Sequence, residues 1–246
     1  MTDLESKIQN LKSKIQNGLI VSCQAPANSP LCKPEIIAAL AECAEQNDAI
    51  GVRIDSPEHI RAVRQTVKVP ILGIYKIVFE QSEVYITPTF DSAGELAAAG
   101  ADLIALDATR RARPDGEKIE DIVARIHSDL NLPVMADVAL LEEGLYATET
   151  LGVDVVSTTL SGYTAETKHL IKPDFELVEN LAKRLSVPVI CEGRLRSIDD
   201  VRRAFDCGAF AVVVGGAITG IDRLVSDFVH ATPLYLSDNL NFQAKR

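Results

Sequence analysis

Val187-Pro188-Val189-Ile190-Cys191-Glu192 is the stretch whose reading decides the fold. A proline opens an apolar run and a carboxylate closes it. Proline fixes φ and has no N–H to donate, so it is tolerated at the first residue of a strand and poorly inside one. The same step opens Val69-Pro70-Ile71-Leu72-Gly73-Ile74 and Leu132-Pro133-Val134-Met135-Ala136. A second signature alternates with it, a glycine suited to the left-handed turn that ends a helix, followed by an apolar run. It appears as Gly100-Ala101-Asp102-Leu103-Ile104-Ala105-Leu106, Gly152-Val153-Asp154-Val155-Val156 and Gly208-Ala209-Phe210-Ala211-Val212-Val213-Val214. Residues 18–24 and 49–53 bring the strand count to about eight.

These runs are continuously apolar rather than alternating, as in strands of a parallel sheet covered on both faces. Between them lie helical stretches such as 34–45, 91–99, 119–128, 142–150, 174–185 and 198–205. Eight strands alternating with eight helices in 246 residues is the size of one (β/α)8 barrel, an α/β TIM barrel. A doubly wound open sheet would need a glycine-rich turn after its first strand. Here that turn reads Cys23-Gln24-Ala25-Pro26-Ala27-Asn28-Ser29-Pro30, without a glycine.

Residues 1–17 read as an amphipathic helix, with Leu4, Ile8, Leu11 and Ile15 on one stripe and Thr2 and Glu5 spaced as a capping box. They are too polar for a signal peptide, and their expected role is to close the amino-terminal end of the barrel. The barrel is expected over 18–230, and 231–246 form a tail, either frayed or reaching another subunit, so that a homo-oligomer stays open. Hydrophobic residues make up 47% of the chain, enough for a large core, and no run reaches the roughly 18 residues that span a membrane. Five cysteines without a C-x-x-C pair imply free thiols in a reducing cytoplasm. The four histidines are scattered, which favours surface or capping roles over metal ligation. A net charge of −10 argues against nucleic acid as a partner and leaves an anionic small substrate open, because a cleft's field depends on local charges.

In a (β/α)8 barrel the carboxyl ends of the strands converge on one rim, where the chemistry is placed. The polar residues at those ends are Gln24, Arg53, Lys76, Asp107, Asp137, Thr158, Glu192 and the pair Gly215-Gly216. A carboxylate entering a barrel mouth from the apolar run before Glu192 must find a cation or protonate, and Lys76 is the expected partner. Asp107 reads equally as a loop cap. Asp107, Asp137 and Glu192 have the oxygens to hold Mg²⁺, but Arg53 and Lys76 at the same mouth make a metal redundant, and no metal or cofactor is expected. The loops after strands seven and eight, Glu192-Gly193-Arg194-Leu195-Arg196-Ser197 and Val214-Gly215-Gly216-Ala217-Ile218-Thr219, stand where barrels build a phosphate cup from backbone N–H groups.

Taken in order, residues 18–25, Gly51-Val52-Arg53, Gly73-Ile74-Tyr75-Lys76, residues 85–90, Leu106-Asp107-Ala108-Thr109, Met135-Ala136-Asp137, residues 157–164, Cys191-Glu192-Gly193-Arg194 and residues 214–219 resemble the N-acetylmannosamine-6-phosphate 2-epimerase family. The similarity runs from about residue 18 to 230. It implies a cofactor-free barrel enzyme that interconverts N-acetylmannosamine 6-phosphate and N-acetylglucosamine 6-phosphate in sialic acid catabolism. By this resemblance Lys76 is the catalytic lysine and Glu192 its carboxylate partner. Gln24, Arg53 and Asp137 bind the sugar, and the phosphate site is formed around Gly193, Arg194, Gly215 and Gly216. Two departures stand out. The family usually has Ser-Thr where this chain has Ala139-Leu140, and Arg-Pro where it has Gly220-Ile221, which leaves Arg223, Arg194 or Arg196 to replace a phosphate-binding arginine.

The residues fit such chemistry on their own terms. Inverting C2 beside an open-chain aldehyde needs an acid/base and something to hold enolate charge. At an ordinary pKa a lysine is the free base in only about one molecule in 2500 at pH 7, so a base role demands partial desolvation. Two other readings share the barrel: an aldolase using Lys76 as a Schiff-base nucleophile, and a phosphosugar-binding protein without turnover.

Overall fold

The computed structural model describes residues 2–235, so most of the expected tail lies outside the described residues. Eight parallel strands, β1 (Leu19–Cys23), β2 (Gly51–Asp55), β3 (Ile71–Ile74), β4 (Leu103–Asp107), β5 (Val134–Asp137), β6 (Val155–Ser157), β7 (Val189–Glu192) and β8 (Ala211–Val214), follow one another around a closed barrel. β8 returns to β1 through the pairs Leu19 with Val212 and Val21 with Val214. Pro70, Pro133 and Pro188 each stand one residue before a strand, where a missing N–H costs no ladder bond.

The helices α1 (Asp3–Ile15), α2 (Pro34–Gln46), α3 (Pro57–Arg64), α4 (Phe90–Ala99), α5 (Ile119–Arg125), α6 (Leu141–Tyr146), α7 (Phe175–Arg184), α8 (Ile198–Asp206) and α9 (Ile221–His230) surround it. The helical stretches read at 119–128 and 142–150 are not uniform. Each α-helix passes into one wide π turn, Ile126–Leu130 and Ala147–Leu151, ended by Asn131 and Gly152 in the left-handed region. Apolar spacing over so short a stretch does not distinguish four-residue from five-residue hydrogen bonding.

At α1 the Thr2 hydroxyl accepts the Glu5 N–H at 3.1 Å and the Glu5 carboxylate accepts the Thr2 N–H at 2.7 Å. The buried Leu11 and Ile15 pack with Ile20, Leu72, Leu103 and Met135, the inward side chains near the amino ends of their strands. Lys7 adds a 3.2 Å bond to the Asn131 carbonyl, just before β5. At the opposite end of the chain, α9 has no buried residue and exposes Val225, Phe228 and Val229. Among the described residues, no helix is long and apolar enough to cross a membrane.

Strand parity positions the site. Ile20, Leu72, Ala105, Met135, Val155, Ile190 and Ala211 face the barrel interior in one buried cluster, while their neighbours Val21, Ile71, Ile104, Val134, Val156 and Val189 pack outward against the helices. Because side chains alternate along a strand, counting in twos from the inward set reaches Ser22 and Gln24, Arg53 and Asp55, Lys76, Asp107, Asp137, Ser157 and Thr159, Glu192 and Gly215. All of these are at the carboxyl rim.

Candidate active site

Arg53 organises the rim. Its guanidinium is buried to 1% exposure and meets Asp137 through two contacts, at 3.1 and 2.5 Å, and Glu192 through a third. The Thr159 hydroxyl ties the group together, 2.7 Å from Asp137, 3.0 Å from Glu192 and 3.1 Å from Arg53. Burial works against the charge on Arg53, but the two carboxylates outweigh it and raise its pKa. The carboxyls are also pushed up, mainly by burial, with Arg53 pulling each back. Two carboxylates around one guanidinium leave an excess negative charge, which a proton or a second cation must offset.

Lys76 lines the same cavity as a second cation, but it does not salt-bridge Glu192 as the sequence suggested. Glu192 points to Arg53, while the Lys76 ammonium donates to Gln24 and stands 3.8 Å from Asp55. The reason is local: after β3 the chain doubles back as a strap. Lys76 bridges Ile86, the Ile77 N–H donates to Tyr85, and the Thr87 N–H donates to Tyr75. Thr87, in the left-handed region, also donates its hydroxyl to Ala105 at 2.7 Å, and the Asp107 N–H donates to Ile86 at 3.0 Å. The Lys76 backbone is held by Asp55 at 3.0 Å. Its side chain keeps 40% exposure, on a surface that faces the cavity. Surrounding protein lowers its pKa, against the opposing pull of Asp55.

Above these groups opens a cavity of about 490 Å³, lined by Gln24, Lys76, Tyr85, Glu192 and the two glycine-bearing loops. Gly193 has φ +108°, a conformation side-chain-bearing residues rarely take. Gly215 lies so close to β1 that a Cβ would come within 3.1 Å of Ser22. The loop then turns back on itself, with Ile218 and Thr219 N–H groups donating to the Gly215 carbonyl. The Thr219 hydroxyl donates to Ser22 at 2.7 Å. Arg194 lies over the Tyr163 ring at 4.3 Å and donates to the Gly162 carbonyl at 2.5 Å.

The structure thus brings Gln24, Arg53, Lys76, Glu192, Gly193, Arg194, Gly215 and Gly216 to one cavity, with Asp137 directly beneath through Arg53. Two of the rim readings change. Thr158 faces outward, its hydroxyl exchanging bonds with the Glu192 backbone at 2.9 and 3.1 Å, and the inward residue is Thr159. Asp107 binds the Thr109 N–H and hydroxyl and the Arg111 guanidinium, so it caps its own loop. Asp55 and Thr159 escaped notice because the apolar runs stop before them; extending inward parity by two residues finds both. Tyr85 arrives on the strap, which no periodicity announces. Ala139 and Leu140 bring no polar side chain, and their N–H groups are held by Glu143. Among the described residues, no group of three or more His, Cys, Asp or Glu side chains is placed to hold a metal ion. The described cysteines are free; Cys23 and Cys191 are pushed up to about 12 by burial, which keeps them thiols.

A family profile described as "Putative N-acetylmannosamine-6-phosphate epimerase" matches residues 37–233. The chain belongs to this family. A relative from Synechococcus elongatus, carrying that description as a 2-epimerase, is 52% identical over 89% of this chain and 94% of its own length. Another, from Thermosynechococcus vestitus, is 51% identical over 90% and 96%. The solved N-acetylmannosamine-6-phosphate 2-epimerase from Clostridium perfringens superposes with a TM-score of 0.86 at 42% identity, over 90% of this chain and 96% of that one.

The environment of Lys76 makes a testable claim. Burial disfavours its ammonium and Asp55 favours it, so removing the Asp55 charge lowers the lysine pKa further. Competitive acetylation followed by mass spectrometry is expected to place the Lys76 midpoint below 10.5 in the native protein, and lower again in Asp55→Asn. A midpoint that rises in Asp55→Asn contradicts the assignment.

Proposed function

We propose that this protein is an epimerase interconverting N-acetylmannosamine 6-phosphate and N-acetylglucosamine 6-phosphate by proton transfer at C2, a step of sialic acid catabolism. The observation that carries this is Lys76: a partly buried amine whose pKa its surroundings lower, held at the edge of a cavity that Glu192, at the end of β7, also lines.

The free amine of Lys76 removes the C2 proton of the open-chain aldehyde, and electrons move onto the carbonyl oxygen as an enolate. The newly formed Lys76 ammonium offsets that charge, since Arg53 is already neutralised by Asp137 and Glu192. A proton returns to the other face of C2 from Lys76 or from Glu192, which line the same cavity. Glu192 suits this exchange because burial favours its protonated form while Arg53 keeps proton loss accessible. Gln24, Arg53 and Asp137 orient the sugar, directly or through the group they hold, and the loops at Gly193, Arg194 and Gly215-Gly216 take the phosphate. No metal or cofactor enters, since enolate and phosphate charge are met by side chains and backbone N–H groups.

The cysteine usage and the absence of nucleic-acid chemistry in this acidic chain support a cytoplasmic enzyme of small molecules. We also infer a homo-oligomer, because α9 exposes Phe228 at 77% among its apolar neighbours and a second copy would cover that face. Light scattering is expected to give a multiple of the chain mass, and Phe228→Asp to shift it toward one chain. A wild type that runs as a single chain removes this inference.

Incubation with N-acetylmannosamine 6-phosphate, followed by NMR, is expected to yield the N-acetylglucosamine epimer, with the rate unchanged by EDTA. Lys76→Met is expected to lower turnover by roughly 10²- to 10⁴-fold or more while thermal unfolding stays close to wild type. A folded Lys76→Met protein with near wild-type turnover sinks the mechanism.

A further inference from the structure

Three arginines line the cavity, Arg194 and Arg196 from the loop after β7 and Arg223 from α9, and they are not equivalent. Arg194 is turned toward the β6–α7 loop. Its Nη2 donates to Gly162, its plane covers Tyr163, and its buried Nε faces Gly162 so closely that a Cβ there would come within 2.5 Å. Arg196 is exposed, its backbone N–H held by Asp200 at 2.9 Å.

Arg223 differs in where it is anchored. It rises from the first turn of α9 and lays Nη2 against the Gly216 carbonyl at 2.9 Å, while Asp227 holds Nη1 at 3.0 Å from one turn further on. Those two contacts orient the fork across the Gly215–Gly220 turn, and a Cβ on Gly216 would lie within 3.3 Å of it. No side chain at residue 220 has room to do the same, because its Cβ would fall 2.7 Å from the Gly216 carbonyl oxygen and 2.8 Å from the Gly216 Cα. The side-chain cation that hydrogen-bonds to the Gly215–Gly220 turn enters from position 223 instead.

Resting on the epimerase reading for the identity of the substrate, we propose that Arg223 is the specificity-determining residue for the phosphate dianion: one guanidinium edge stays on Gly216 and Asp227 and the other turns to the phosphate oxygens. A guanidinium matches phosphate by its planar fork of donors as well as its charge. Lysine at this position keeps the charge and loses the fork.

The test separates phosphate recognition from turnover. Inorganic phosphate binding is measured by calorimetry for wild type, Arg223→Gln, Arg223→Lys and Arg196→Gln. The ratio of kcat/KM for N-acetylmannosamine 6-phosphate over unphosphorylated N-acetylmannosamine is measured alongside. Arg223→Gln is expected to weaken phosphate binding at least tenfold and to lower the specificity ratio by a similar factor, with Arg223→Lys between it and wild type. Phosphate bound by a folded Arg223→Gln protein within about threefold of wild type overturns the proposal. So does a wild type that binds no phosphate, or a loss confined to Arg196→Gln. Phosphate binding that depends on Arg223 in a wild type without epimerase turnover would support the arginine assignment and overturn the epimerase reading, so the two fail separately.

Discussion

One guanidinium between two carboxylates governs this barrel. Arg53, on β2, holds Asp137 from β5 and Glu192 from β7, joining strands that are not neighbours across the barrel interior. Taking such charges out of water costs several kcal/mol per ion unless their contacts are nearly ideal, so the three side chains and Thr159 must be placed together. Their placement sets the floor of the cavity and leaves negative charge over. That surplus makes a neighbouring cation, and an easily exchanged proton, a consequence of the packing.

Lys76 answers that surplus from a distance rather than by contact. Were it salt-bridged to Glu192, its ammonium would be held charged and its amine suppressed. The strap instead hands it to the neutral oxygen of Gln24 and to Asp55 at 3.8 Å, which leaves burial the largest influence on its pKa. Stitching through Thr87 and Ile86 fixes the lysine backbone, and the opposing charge of Asp55 stands 3.8 Å from the ammonium. A base whose backbone is fixed and whose ammonium is only weakly paired is what proton abstraction beside a carbonyl asks of a lysine.

The fold was legible because proline and glycine mark where each strand begins, and buried parallel strands read as unbroken apolar runs. The same unbroken runs hid the parity. With both faces apolar, nothing in Val155-Val156-Ser157-Thr158-Thr159 tells which threonine points inward, so the sequence pointed to Thr158 and the barrel uses Thr159. Asp55 was missed for the related reason that β2 runs two residues past Arg53, where the run read from the sequence ends. The partnership of Lys76 and Glu192 was misread because charge complementarity is visible in sequence and the strap is not. The preference for Arg223 among three arginines needed the close approach of Gly220 to Gly216, a distance that no motif carries.

The central claim is that a proton, and nothing heavier, moves at C2. Running the reaction in D₂O and following C2 by NMR tests it most directly, because the lysine and carboxyl that return the proton exchange with solvent whenever the site opens. The account predicts N-acetylglucosamine 6-phosphate deuterated at C2, with deuterium appearing more slowly in recovered N-acetylmannosamine 6-phosphate. Product that stays fully protonated at C2 through many turnovers, and substrate that never acquires label, would contradict it.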